Sequence, residues 1–149
     1  MVQRSADRPT LQGRSALVTG GGSGIGLAAA AALVADGADV TLMGRTADKL
    51  EAAAEQLRQQ APEGVRVRTS AGDVTADADV AAAVALADAD QTLRIVVASA
   101  GDGTMGPVVA TSTEEWNRIL GVTLTGVFLV FREAGAALGR NGGGSRAAV

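Results

Sequence analysis

The sequence predicts an α/β fold in which helices cover both faces of a parallel sheet, giving three αβα layers. Three observations predict this fold. Short runs of β-branched residues alternate with alanine-rich segments along the 149 residues. A cluster of glycines separates the first run from the first alanine-rich segment, and the fourth run is continuously apolar, as strands buried on both faces usually are. Alternation of this kind implies parallel strands joined by right-handed crossovers, a doubly wound arrangement.

The first half of the chain is predicted to contain two strand–helix units. In order, the strands and helices are Ser15–Thr19, Ile25–Ala35, Asp39–Met43 and Ala47–Gln60. Gly37 can end the first helix, because glycine adopts the left-handed conformation that is common at helix C-termini. Thr46 is a suitable N-cap for the second helix, and Pro62 ends it because the residue before a proline disfavours helix.

The second half is predicted to repeat the alternation and to end in a long helix. The third strand, third helix and fourth strand are expected at Val65–Ala71, Thr75–Ala89 and Leu93–Ser99. Thr75 can cap the third helix. After a glycine-rich loop, Ser112-Thr-Glu-Glu115 has the form of a capping box. The last helix is therefore expected to span residues 113–138.

Composition excludes several classes of function. The net charge of −3 comes from mixed charges without a basic stripe, so a nucleic-acid partner is not expected. The chain has no cysteine and no histidine, which removes disulfides, thiolate metal sites and the commonest metal ligand, and no metal site is predicted. Residues 1–13 are unlike a secretory signal, and no segment approaches about 20 unbroken apolar residues. A cytoplasmic protein without a membrane partner is expected.

The strongest local signal is the glycine loop Thr19-Gly-Gly-Gly-Ser-Gly-Ile-Gly26. It lies between a strand and a helix, the context in which a glycine motif becomes a phosphate site. Glycine lets backbone amides approach a pyrophosphate, and the helix N-terminus offers unpaired donors and partial positive charge. The alternative is a merely flexible strand–helix turn. The candidate cofactor-binding residues in this loop are Gly20, Ser23, Gly24, Ile25 and Gly26.

The spacing of these glycines after a threonine resembles the cofactor loop of the short-chain dehydrogenase/reductase family. Further motifs follow in the order in which that family has them. They are Asp73-Val74 after the third strand, Ala98-Ser-Ala-Gly101 at the end of the fourth, Trp116–Phe128 in the last helix, and Gly142–Ser145. The resemblance implies NAD(P)-dependent hydride transfer between nicotinamide and a carbonyl or alcohol. It also implies that Asp73, Val74, Ala100 and Gly101 contact the dinucleotide.

The resemblance also suggests how the chain is divided. Residues 1–10 are expected to form a flexible N-terminus, 11–139 part of a Rossmann-type dinucleotide-binding domain, and 140–149 a glycine-rich tail. The family's sheet has strand order 3-2-1-4-5-6-7, of which this chain is expected to supply 3-2-1-4, truncated after the helix that corresponds to the family's fifth. The fourth strand would then be an uncovered apolar edge, which favours association.

The end of the second strand bears on the choice of dinucleotide. A ribose 2′-hydroxyl usually meets an acid there, whereas a 2′-phosphate usually meets an arginine. The strand ends Leu42-Met43-Gly44-Arg45, with no carboxylate in place. The guanidinium of Arg45 can donate two charge-assisted hydrogen bonds to a phosphate. NADP(H) is therefore predicted in preference to NAD(H), the alternative being that Arg45 is a solvated loop arginine.

The proton-transfer groups of the family cannot be assembled from this sequence. The resemblance implies a tyrosine whose pKa a nearby lysine lowers, a serine that holds the substrate oxygen, and an asparagine on the fifth helix. The chain has no tyrosine, its one lysine, Lys49, lies on the second helix, and Thr123 occupies the asparagine position. Ala98 and Ser99 replace two asparagines of the fourth-strand motif. No catalytic residue is assigned, and a truncated, catalytically impaired oxidoreductase is expected.

The last helix is apolar on nearly all sides between Ile119 and Phe131, whereas a surface helix should have one apolar stripe. A homo-oligomer formed through the 113–138 helix is therefore expected, the alternative being that this hydrophobicity has no partner.

Three functions are compatible with the sequence. They are an impaired oxidoreductase, a non-catalytic NADP(H)-binding module or partner subunit of a longer homologue, and a Rossmann-like domain of another class such as a methyltransferase. The glycine spacing and Arg45 argue against the last.

Overall fold

The computed structural model describes residues 11–149, which form a parallel five-stranded sheet of order β3-β2-β1-β4-β5. The predicted flexible N-terminus, residues 1–10, lies outside the described residues. Every pair of neighbouring strands is parallel, so the predicted fold class is confirmed. The strands are β1 Ser15–Thr19, β2 Asp39–Gly44, β3 Val67–Ala71, β4 Leu93–Ala98 and β5 Ser145–Ala148.

Helices connect the strands in the predicted order. They are α1 Gly24–Ala35, α2 Ala47–Arg58, α3 Asp77–Ala87, α4 Thr113–Leu120 and α5 Gly126–Arg140. Ser112 caps α4 through its hydroxyl, which accepts a hydrogen bond from the Glu115 amide at 3.1 Å. Thr75 does not cap α3, which begins two residues later, because its hydroxyl donates to the Asp73 carboxylate instead. A π-helical turn, Gly121–Thr125, joins α4 to α5.

Alternate residues of β1 separate two apolar cores, one on each face of the sheet. Leu17 belongs to the core that α3 and α5 cover, whereas Ala16 and Val18 belong to the core that α1 and α2 cover. This alternation follows from the two-residue period of a strand. All five residues of β1 are buried, so the strand is covered on both faces and the three-layer prediction is confirmed.

The last ten residues correct one sequence-based expectation. The order 3-2-1-4 is right for four strands, but a fifth strand, β5, pairs with β4 from Ile95–Ser145 to Ala98–Ala148. The fourth strand is therefore not an uncovered edge. Gly142 and Gly143 turn the chain back with φ values of +87° and +91°, and a Cβ atom on Gly144 would lie only 2.2 Å from the carbonyl oxygen of Arg94. These glycines make a tight turn rather than a loose linker, which composition alone does not distinguish.

The long helical segment has one buried side and one exposed side. Leu129 and Val130 are buried where α5 packs on α3 and β4, while Leu124 and Phe128 are 64% and 58% exposed. By length and composition alone, Thr113–Arg140 could cross a membrane, since an 18-residue window of it has mean hydropathy 1.5. Core helices of folded domains meet the same criterion, and the buried side of this one belongs to a core. The absence of a membrane partner stays a prediction.

Candidate functional site

A cleft of about 210 Å³ opens at the carboxyl ends of the strands, where the chain crosses from one side of β1 to the other. Open α/β sheets bind ligands at this kind of switch point. The glycine loop, the ends of β2 and β3 and the segment after β4 contribute the walls. The residues that line the cleft are Gly20, Gly22, Ser23, Gly44, Arg45, Thr46, Lys49, Leu50, Gly72, Asp73, Val74, Ala100, Gly101 and Val122.

The glycine loop is compact because the chain passes too close to itself for side chains. Gly20 has a φ of +67°, and a Cβ atom there would lie 2.5 Å from the carbonyl oxygen of Ser99. A Cβ atom on Gly26 would lie 2.4 Å from the carbonyl oxygen of Gly20. Such distances do not occur between real atoms, so both positions require glycine. The first turn of α1 is thereby held directly against the end of β1.

Thr19 ties the glycine loop to the end of the neighbouring strand. Its side chain is almost fully buried, and Oγ1 accepts hydrogen bonds of 3.2 Å from the amides of Ser99 and Ala100. The carbonyl of Thr19 also accepts from the Ser99 amide. These contacts place Ala100 and Gly101 in the cleft, opposite the loop. The threonine that precedes the glycines is thus a positioning residue for the segment after β4.

Backbone donors are available where the glycine loop meets α1. Within residues 11–149, no hydrogen bond uses the amides of Gly22 or Ser23, and the first amide of α1 to be bonded is that of Leu27, which donates to Ser23. Ser23 has the N-cap position, but its hydroxyl makes no capping bond. A helix N-terminus with several unpaired donors attracts anions. The geometry therefore suits a phosphate or pyrophosphate group.

Two cations stand at the β2 side of the cleft. Arg45 follows β2 directly and Lys49 lies in the first turn of α2, and both side chains are exposed. Across the described part of the chain, neither forms an ion pair. Two cations without an ion pair, next to amides that have no hydrogen-bond partner in the described range, make this end of the cleft attractive to negative charge.

Asp73 supplies the negative charge on the β3 side. Its carboxylate accepts hydrogen bonds of 2.8 Å from the amide and the hydroxyl of Thr75. These bonds hold the pKa of Asp73 below its ordinary value, and the positive charge of Arg45 acts in the same direction. The amide of Asp73 donates to the Asp79 carboxylate at 2.8 Å, which fixes the turn between β3 and α3. Asp73 and Val74 are therefore held rigidly beside the cleft.

Most of the residues predicted as cofactor-binding come together in this cleft. Gly24 and Gly26 support the loop without lining the cleft, and the Ile25 side chain is 62% exposed on the first turn of α1. The seven predicted residues that line it are Gly20, Ser23, Arg45, Asp73, Val74, Ala100 and Gly101. The lining residues that were not predicted from the sequence are Gly22, Gly44, Thr46, Lys49, Leu50, Gly72 and Val122.

The residues at positions that the resemblance associates with catalysis do not converge on the cleft. Thr123 is exposed, and its hydroxyl donates to the Ile119 carbonyl of its own helix at 2.7 Å. Val122 faces the cleft in its place. Ser99 is not among the described residues that line the cleft. The signal that could have found Val122 is absent from the sequence, because the π-helical turn shifts which residues of this helix face inward.

The comparisons with known proteins agree with this geometry. The sequence profile of the short chain dehydrogenase family matches residues 14–146. A galactitol 2-dehydrogenase (L-tagatose-forming) from Cereibacter sphaeroides is 36% identical over 135 residues, which cover 91% of this chain and 51% of that protein. A D-threitol dehydrogenase from Mycolicibacterium smegmatis is 38% identical over 136 residues, covering 91% of this chain and 51% of that protein. The chain thus spans about half the length of the curated relatives it matches.

Solved structures show the same relationship. A short-chain type dehydrogenase/reductase from Mycobacterium ulcerans superposes with a TM-score of 0.88 at 37% identity, over 94% of this chain and 52% of that one. L-sorbose reductase from Gluconobacter frateurii, solved with NADPH and L-sorbose, gives a TM-score of 0.85 at 29% identity, over 93% of this chain and 52% of that one. Fold, glycine loop and family profile therefore agree, and the chain belongs to the short-chain dehydrogenase family of NAD(P)-dependent oxidoreductases.

Proposed function

We propose that the cleft binds NADP(H) in preference to NAD(H). The observation that carries this proposal is Arg45 at the end of β2, which makes no ion pair with residues 11–149 and stands where a 2′-hydroxyl would usually find an acid. The unpaired amides of Gly22 and Ser23 and the N-terminus of α1 support a pyrophosphate next to it. Asp73 and Val74 would then flank the adenine, and Ala100 and Gly101 the nicotinamide end.

The second part of the proposal concerns catalysis. These 149 residues contain no tyrosine, and their lysine, Lys49, lies at the β2 side of the cleft rather than near Ala100. A phenol needs a neighbouring cation to exchange protons near neutral pH. We therefore expect the chain, as 149 residues, to bind the dinucleotide without transferring hydride. In a protein of the relatives' length, reduction or oxidation of a carbonyl or alcohol is the proposed activity.

A direct test compares NADPH and NADH binding by titration calorimetry, in the wild type and in Arg45→Asp. The wild type should bind NADPH more tightly, by about tenfold or more, since a charge-assisted bidentate contact contributes on the order of 1.5–3 kcal/mol. Arg45→Asp should reverse the preference. The control is Arg14→Asp, which makes the same charge change at an exposed site before β1 that forms no ion pair with residues 11–149. Equal affinities of the wild type for both dinucleotides would contradict the proposal.

A non-catalytic role as an NADP(H)-binding module or partner subunit is the second candidate. It is favoured by the exposed apolar side of the 113–138 helix, where Leu124 and Phe128 lie one turn apart and project to solvent. Large exposed apolar side chains in a row typically mark an interaction surface. We propose that a second copy of this chain covers them, forming a homo-oligomer. Cofactor binding without turnover, in an assembled state, supports this candidate.

A further inference from the structure

Lys49, which the family motifs do not account for, lies in the cleft beside the glycine loop. It is the third residue of α2. A Cβ atom placed on Gly22 would lie 3.5 Å from Cγ of Lys49 and 3.8 Å from its Cδ, so the lysine stem runs past the middle of the loop. The next residue, Leu50, is buried and anchors this turn of the helix. The lysine is therefore held by α2 and not by a mobile segment.

The charge of Lys49 is not matched by an ion pair. Among residues 11–149, Asp73 is the only acid that lines the cleft, and its charge acts on Arg45. Within the described range 11–149, Lys49 and Arg45 make no ion pair. Two cations that line one cleft and make no ion pair are stabilised by a ligand that carries more than one negative charge.

A phosphate monoester is such a ligand, because it carries about −1.5 to −2 charges at neutral pH. Arg45 alone would leave part of that charge unbalanced. We infer that Lys49 completes a two-cation clamp, in which the 2′-phosphate of NADP(H) lies between the guanidinium of Arg45 and the ammonium of Lys49. The planar guanidinium of arginine donates hydrogen bonds in fixed directions, whereas the ammonium of lysine is a compact charge on a flexible side chain. This inference rests on the proposed preference for NADP(H) and extends it to a second residue.

The test measures dissociation constants for NADPH and NADH with the wild type, Lys49→Gln and Lys49→Arg. Lys49→Gln keeps the stem but removes the charge, and should weaken NADPH binding by about three- to tenfold, as expected for one partly exposed charge-assisted contact. NADH binding should change by less than about twofold, because NADH lacks the 2′-phosphate. Lys49→Arg should retain most of the NADPH affinity. Arg14→Gln is the control for net charge, because Arg14 is exposed and makes no ion pair within residues 11–149, and it should leave both constants unchanged.

The outcomes separate this inference from the proposal beneath it. If the wild type prefers NADPH and Arg45→Asp removes that preference, but Lys49→Gln binds NADPH as the wild type does, the clamp is wrong while the cofactor assignment stands. If Lys49→Gln weakens NADPH and NADH equally, the lysine acts on the shared pyrophosphate and the clamp is also wrong. If the wild type binds both dinucleotides equally, or neither, both the assignment and the clamp are overturned.

Discussion

Individual residues of the glycine loop are constrained by backbone atoms rather than by side chains. Gly20 faces the carbonyl of Ser99, and Gly26 faces the carbonyl of Gly20. Thr19 contributes the complementary contact, since its buried hydroxyl accepts two amides from the end of β4. In the binding site, backbone segments approach each other closely, and the amides of Gly22 and Ser23 have no partner among residues 11–149 and can donate to an anion.

Gly26→Ala is expected to disrupt the site where the first turn of α1 lies against the glycine loop. Its Cβ atom would lie 2.4 Å from the Gly20 carbonyl oxygen, so α1 must move away from β1. The free energy of unfolding should fall by about 1–3 kcal/mol, as in other overpacked sites, and NADPH affinity should fall with it. Chemical denaturation and calorimetry measure the two effects.

Gly139→Ala is the matched control for that substitution. Gly139 also lies in a helix, α5, but a Cβ atom there meets nothing within 4 Å. This substitution should raise stability by about 0.5–1 kcal/mol, because alanine favours helix over glycine. If Gly26→Ala behaved like Gly139→Ala, the close approach of α1 to the loop would be absent in solution.

Asp73 gives the fold a predictable dependence on pH. Hydrogen bonds from Thr75 lower the pKa of its carboxyl in the folded state, so the ionised form stabilises the fold above the unfolded-state pKa of about 3.9. That contribution is lost as the pH falls from there through the folded-state pKa. Relative to the wild type, Asp73→Asn should lose about 1 kcal/mol of unfolding free energy at pH 6.

The difference between the wild type and Asp73→Asn should shrink below about pH 4. Denaturant unfolding at several pH values measures it. Asp48→Asn is the control, because Asp48 is exposed and makes no hydrogen bond or ion pair with residues 11–149. A difference that stays constant from pH 6 to pH 3 would show that the Thr75 contacts do not discriminate between the charged and neutral carboxyl.

At the scale of elements, the long helix combines a core side with an exposed apolar side. Phe128→Glu is expected to shift an assembled wild type toward monomer, because it places a charge on the surface that a second copy is proposed to cover. Sedimentation velocity at tens of micromolar measures the change. Val109→Glu is the control, since Val109 is 92% exposed outside this helix. A wild type that sediments as a sharp monomer would contradict the proposed assembly.

The pairing of β5 with β4 depends on one glycine. Gly144→Ala would bring a Cβ atom to 2.2 Å from the Arg94 carbonyl oxygen, so the turn must open and the strand must separate from β4. Backbone amides of residues 145–148 should then exchange hydrogen at least about tenfold faster. Gly103→Ala serves as control, because a Cβ atom there meets nothing within 4 Å. Unchanged exchange in Gly144→Ala would mean that β5 is not paired in solution.

For the whole molecule, the sequence predicts most of what depends on short-range pattern. The glycine loop, the end of β2 at Arg45 and the motif at Asp73 each lie at a strand end, and parallel strands bring their carboxyl ends together. Four strands, their order and seven lining residues of the cleft follow from this reasoning.

The features that the sequence did not predict depend on packing between distant segments. Lys49 lines the cleft only because Leu50 fixes the rotation of α2 against the loop. Strand β5 depends on how closely Gly144 approaches β4, and a glycine-rich composition is equally typical of a flexible linker. Val122 faces the cleft because a π-helical turn changes the phase of the last helix, a change that 3.6-residue periodicity does not reveal.

The central claim is that unpaired amides of the glycine loop hold the diphosphate of a dinucleotide. Backbone amide shifts of the 149-residue chain, followed by nuclear magnetic resonance during an NADPH titration, test it most directly. The account predicts that the largest changes fall on Gly22, Ser23 and the first turn of α1, with smaller ones at Arg45 and Asp73. Shifts that spare Gly20–Gly26, or that cluster at the opposite ends of the strands around Arg14 and Arg94, would contradict it.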